Sequence, residues 1–246
     1  MMPIRISRTI WGLIIACLAV FILERAFSQF LGMNLVGILG LWPDLVLKGY
    51  LPQLLSYMFV HADVSHLVLN MLMLAFIGSE LEGVWGRKRF LLFYFFCGAV
   101  AGIFYIALQA AVWHGDVPLV GASGGIYGLL LAYGLLFGDR VLLFMMLFPM
   151  KARHFIWVLA GVEFLTGLFS GAPGAAWTAV AHLGGMAGGM AYLYGRGTCL
   201  VWRKNREAGR GARSRKASKS HLKLVVGGER EGTPEKRDDS DPRTWH

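Results

Sequence analysis

The stretch Leu119–Phe137, LVGASGGIYGLLLAYGLLF, runs 19 positions without a charged residue and carries five glycines. As a helix it would rise about 28 Å, close to a hydrocarbon core about 30 Å thick. Such a run is out of place in a soluble domain unless everything around it is equally apolar. Here it is: the 246 residues are 56% hydrophobic and only 16% charged, with a mean hydropathy of +0.53. Soluble domains run at about 45–50% and about 25%. The stretch therefore reads as one span of a membrane bundle, and soluble, collagenous and wholly disordered classes drop out.

Five further apolar runs flank it, at Ile10–Phe30, Val64–Leu81, Phe90–Trp113, Phe155–Phe169 and Ala175–Tyr194. The first lacks an Ala-x-Ala cleavage pattern and five spans follow it, so it reads as an uncleaved helix. A seventh run, Val141–Met150, would give only about 15 Å of helix. Arg140 precedes it and Lys151 and Arg153 follow it, so it reads as an interfacial or re-entrant segment. Between Leu31 and Gln53, six glycines and prolines break the chain into a long loop.

Basic residues set the orientation. Arg5 and Arg8 precede span one, and Arg87, Lys88 and Arg89 follow span two. Arg140, Lys151 and Arg153 separate spans four and five, and Arg196, Arg203 and Lys204 follow span six. The opposite loops hold Lys48 alone. The positive-inside rule then predicts an all-α membrane protein of six transmembrane helices with both termini cytoplasmic. The expected setting is the inner membrane of a bacterial cell.

The net charge of +9 is mostly a property of the tail, where Arg203–His246 holds 13 Lys+Arg against 7 Asp+Glu. The division expected is a membrane domain over 1–202 and a disordered cytoplasmic tail over 203–246, read as a solvated extension and not a nucleic-acid arm. Cys17, Cys97 and Cys199 are odd in number and widely spaced. They form no disulfide framework and no zinc pattern, and read as small hydrophobes.

Polar residues inside spans are expensive, so each is a functional candidate. Span two opens on HADVSHLVLN, which sets His66 and Asn70 four apart on one helix face. Span four opens on GASGGIYG, with Ser123 among glycines and Tyr127 one turn below. Span six opens on AHLGGMAGGM, with His182 above Gly185 and Gly189. All three spans start on the extracytoplasmic side, and Ser123 and His182 fall roughly 6–10 Å below that surface. Gly185 and Gly189 form a small-x-x-x-small face that admits a close neighbour. The glycine-rich fourth span is thin enough to be that neighbour. A Ser–His hydrogen bond across the two would activate the serine. Glycines by themselves commonly do no more than pack helices, but packing does not account for a serine and a histidine at one depth.

Gly121-Ala122-Ser123-Gly124, with His66-x-x-x-Asn70 upstream and Ala181-His182 downstream, resembles the rhomboid intramembrane serine proteases over about residues 8 to 196. The resemblance implies Ser123 as nucleophile and His182 as general base and acid, a dyad without a carboxylate. It implies His66 and Asn70, with the Ser123 backbone amide, as oxyanion donors, Gly124 as part of that supporting set, and Tyr127 as the ring stacked on the imidazole. It implies a serine endopeptidase that cuts single-pass transmembrane substrates within the lipid bilayer. No metal, no organic cofactor and no nucleic-acid partner are expected. The oligomeric state is left open.

Other polar residues carry less. Asp116 is the acid nearest the serine in sequence, but an outer-loop aspartate reads as solvated or capping. His61 and Asp63 either hydrate the site or cap span two. Glu24 and Arg25 read as snorkelling side chains. Glu82 reads as a loop anchor. Glu163 falls in mid-span, where a bare carboxylate costs at least about 2.5–3.5 kcal/mol, so it is protonated or paired; the resemblance gives it no role. The rival functions are a non-proteolytic membrane-protein binder, a metal site on His61, His66 and His182, and a channel. His-Glu-x-x-His is missing, as is any inverted repeat.

Overall fold

A computed structural model describes residues 6–113, 117–144, 148–169 and 176–196, all within one compact unit, Met1–Thr198. Asp116, Cys199 and the basic tail lie outside the described residues.

Helix α1 (Arg8–Leu31) begins where Ser7 accepts from the Ile10 amide at 3.1 Å and ends at Gly32, whose φ of 63° closes the last turn. The loop after it is less plain than its glycines and prolines suggest. It contains α2 (Leu35–Leu39), capped by Asn34, α3 (Pro43–Leu47), with proline at its first position, and α4 (Gln53–Ser56). Buried Gln53 stitches this loop together. It accepts from the Trp42 amide and donates to the Ile38 carbonyl, both at 3.1 Å.

Asp63 caps α5 (Val64–Met73), accepting from the His66 amide at 2.8 Å. The helix runs on through a π turn, Leu74–Gly78, into α6 (Ser79–Trp85). Glu82, near its end, accepts from Ser7 and, at 2.6 Å, from Thr9. The carboxylate thus ties the start of α1 to the end of α6. At the other end of α1, Arg25 donates to the Ala62 carbonyl, so it is anchored and does not merely snorkel.

Then come α7 (Arg87–Leu108), a π turn at Gln109–Trp113, α8 (Ser123–Leu136), α9 (Ala152–Phe169) and α10 (176–196). Each of the six apolar runs thus holds a helix among its described residues. Arg8–Leu31, Val64–Trp85 and Arg87–Ala111 are long and apolar enough to cross a membrane by length and composition, and Ser123–Leu136 is a shorter apolar helix. The described parts of the Val141–Met150 segment are strands, not helix. Val141–Phe144 (β1) and Phe148–Lys151 (β2) pair antiparallel, with Val141 opposite Lys151. Pro149 would break a helix there.

Helix α8 is the centre of the bundle, with Ser123–Ile126 and Gly128–Gly134 buried. Its neighbour α9 exposes Trp157, Phe164 and Leu168, a surface that suits lipid and not water. Glycines set the approach of α10. A Cβ on Gly185 would lie 2.0 Å from the Gly124 carbonyl oxygen, and one on Gly189 3.3 Å from the Gly128 Cα. On the adjoining face, Gly184 and Gly188 meet Phe104 and Val100 of α7. Helix α10 is therefore wedged between α7 and α8 by two small-x-x-x-small faces.

Candidate active site

Ser123 is the first residue of α8, and the chain reaches it through a tight turn. Leu119 and Leu41 exchange amide-to-carbonyl hydrogen bonds at 3.0 and 2.9 Å, and the Gly121 amide donates to the Tyr57 carbonyl at 3.0 Å. Gly121 then takes a φ of 119°, and a Cβ there would lie 2.6 Å from His66 Cε1. Only glycine satisfies both demands. The amides of the first turn of α8 have no intrahelical acceptor, and the helix dipole makes that end positive.

His182 lies on α10, one turn before the glycines that contact α8. Its Nε2 is 2.8 Å from Ser123 Oγ. The Tyr127 ring stacks on the imidazole, with centroids 4.0 Å apart and planes 8° from parallel. Ser123, Tyr127, His182 and His66 line one cavity of about 460 Å³, together with Trp177 and Thr178. This cavity is the space in which a reacting group would meet the serine.

Two residues of α5 stand differently. His66 lines the cavity, whereas Asn70 is buried and is not among the lining residues. The Asn70 amide donates instead to the His66 carbonyl at 3.0 Å, one turn back along its own helix. Its amide nitrogen carries a second N–H beside the one given to His66. Behind His66, the ring of buried His61 packs edge-on at 5.2 Å and approaches the Phe59 carbonyl through Nδ1 at 3.3 Å. Burial first, and the neighbouring His66 second, push the His61 imidazole down to about 4, so it stays neutral at neutral pH. Asp63, the cap of α5, is held below the usual carboxylate range by the Ser65 hydroxyl and the His66 amide.

The sequence did not locate the neighbours of Glu163. On α9, its Oε2 lies 3.1 Å from His182 Nδ1, and its other oxygen accepts from the Tyr127 hydroxyl. The mid-span position marked this carboxylate as unusual. Its partner is unreadable from spacing, because the rotation of α9 against α10 is set by packing.

Comparison with known proteins agrees with the geometry. Residues 48–198 match the Rhomboid domain. Rhomboid-related protein 3 of Homo sapiens is 35% identical over 127 residues, which is 47% of this chain and 30% of that protein. The mitochondrial rhomboid protein 1 of Saccharomyces cerevisiae is 31% identical over 187 residues, 66% of this chain and 50% of the relative. The rhomboid protease GluP of Bacillus subtilis is 33% identical over 87 residues, 35% of this chain and 16% of the relative. The aligned parts thus span half or less of these relatives' lengths. With its family domain across more than half of its length and helices built for a bilayer, this multi-pass membrane chain belongs to the rhomboid family.

Proposed function

We propose that the chain is an intramembrane serine endopeptidase that hydrolyses peptide bonds of single-pass transmembrane proteins near the extracytoplasmic face. The observation that carries this reading is the 2.8 Å approach of His182 Nε2 to Ser123 Oγ at the wall of a cavity of about 460 Å³. His182 takes the hydroxyl proton as Ser123 attacks the substrate carbonyl, then returns it to the leaving amine. Water next attacks the acyl-enzyme with the same histidine as base. The Ser123 amide, at the positive end of α8, with His66 and Asn70, meets the oxyanion. Donors of this kind are worth about 2.7–4 kcal/mol each in comparable acyl transfer. Gly124 lets the first turn of α8 pack closely on α7 and Tyr57, since a Cβ there would lie 2.6 Å from Ala101 Cβ and 3.0 Å from the Tyr57 hydroxyl. No cofactor or metal takes part.

The chain crosses the membrane six times with both termini cytoplasmic, as its basic loops suggest, in the inner membrane of a bacterium. The catalytic unit spans 1–202, and 203–246 is a solvated tail. A 14-residue α8 rises about 21 Å, roughly 9 Å short of a full hydrocarbon core. That shortfall leaves Ser123 below the membrane surface with room for water above it.

The test is cleavage of a single-pass substrate co-reconstituted in proteoliposomes. Wild type is expected to cut it near its outer end, and Ser123→Ala to leave it intact. Equal cleavage by Ser123→Ala contradicts the assignment. Retention of uncut substrate by wild type favours instead a non-proteolytic rhomboid-like binder.

A further inference from the structure

The reaction just described uses Ser123 and His182 and leaves one carboxylate without a task. Glu163 and His182 are both largely buried, with side-chain exposures of 13% and 12%. A carboxylate in such a place needs partners, and Glu163 has two. Its Oε2 is 3.1 Å from His182 Nδ1, and its Oε1 accepts from the Tyr127 hydroxyl, while the Tyr127 ring covers the imidazole face. His182 Nδ1 is itself buried and makes no aligned hydrogen bond among the described residues, so Glu163 approaches it obliquely. Catalytic hydrogen bonds are often loose before substrate binds and tighten in the complex.

The chemistry assigns this carboxylate a purpose. His182 can accept the Ser123 proton only if Nε2 is bare, so the one proton of the neutral ring must sit on Nδ1. An isolated imidazole has no strong reason to choose that tautomer. A carboxylate against Nδ1 selects it, holds the ring plane, and stabilises the imidazolium that forms. During acylation the hydroxyl proton moves from Ser123 Oγ to His182 Nε2 as the Oγ–C bond forms. The Nδ1 proton stays on the ring, and Glu163 stays ionised throughout.

We propose that Glu163 is a positioning residue that acts through His182, so that this chain works with an aligned Ser–His–Glu series and not with a bare dyad. This rests on the hydrolytic reading above. Among the described residues, Ser123 and Tyr127 from α8 and Glu163 from α9 contact the imidazole. Among them Glu163 is the one carboxylate.

A purely structural Glu163, holding α9 to α8 through Tyr127, makes a different forecast from a positioning one. Glutamine keeps the size and an acceptor for the Tyr127 hydroxyl but removes the charge. Glu163→Gln is expected to lower kcat by about 10²- to 10⁴-fold with KM changed less than about twofold, and Glu163→Asp to recover part of the loss. The companion readout needs no turnover: ¹⁵N-histidine NMR of the wild-type protein in lipid, with His182→Ala to assign the signal. It is expected to show His182 protonated at Nδ1, and Glu163→Gln to move the proton towards Nε2. Glu163→Gln at half the wild-type kcat or more, or a wild-type His182 protonated at Nε2, overturns the proposal. If Glu163→Gln does not fold, the wild-type spectrum decides alone. If wild type cleaves nothing, the hydrolytic reading fails, whereas the tautomer still tells whether Glu163 orders the ring.

Discussion

His182→Ala is expected to lower kcat/KM for a transmembrane substrate by about 10⁴-fold or more, with the helix content unchanged. Loss of a nucleophile's base costs about that in comparable serine hydrolases, because the remaining groups act as a unit and do not share the loss among themselves. In this chain the imidazole stands 2.8 Å from Ser123 Oγ. Ser123 would keep its place at the start of α8, since Gly121, Tyr57 and Leu41 fix that turn without help from His182. The measurement is steady-state cleavage beside far-ultraviolet circular dichroism of the same sample. Residual turnover within tenfold of wild type would mean that the proton goes elsewhere.

Gly185→Ala is expected to be nearly as damaging by a different route. The added methyl would sit 2.0 Å from the Gly124 carbonyl oxygen and 2.9 Å from its carbon. Backbone cannot rotate away as a side-chain tip can, so α10 has to back off from α8. Overpacking of this kind costs typically about 1–3 kcal/mol, and a main-chain clash belongs at the upper end. His182 precedes Gly185 by less than one turn, so the same displacement draws Nε2 off Ser123 Oγ. A shift of about 1 Å is enough to cost about 10²-fold in rate. Gly189→Ala is the comparison, because its methyl would stand 3.3 Å from Gly128. Thermal unfolding in detergent together with cleavage should rank wild type first, Gly189→Ala second and Gly185→Ala last. Equal behaviour of the two variants would disprove the close approach at Gly124.

Much of this arrangement is legible in the sequence because the membrane simplifies the problem. A run that lies in hydrocarbon has to satisfy its own backbone, so a long apolar run reads directly as a helix. The spacing of His182, Gly185 and Gly189 announced a face that meets another glycine-rich helix, and α8 is that helix. Shorter-range detail was harder to see. The helical turns at Leu35–Leu39 and Pro43–Leu47 depend on local caps at Asn34 and Pro43, which a count of glycines and prolines hides. The antiparallel pairing of Val141–Phe144 with Phe148–Lys151 depends on cross-strand contacts that no helical periodicity foretells. At the site, Ser123, His66 and His182 could be grouped by depth. The contact of Glu163 with His182 could not, because it depends on the rotation of α9 against α10.

The most direct measurement is the covalent state of Ser123. Wild-type protein in proteoliposomes is treated with a fluorophosphonate, and the adduct is located by intact mass and peptide mapping. A single adduct on Ser123, absent in Ser123→Ala and formed far more slowly in His182→Ala, is the expected result. An adduct on another residue, or none on Ser123 while the same sample cleaves substrate, would contradict Ser123 as the nucleophile.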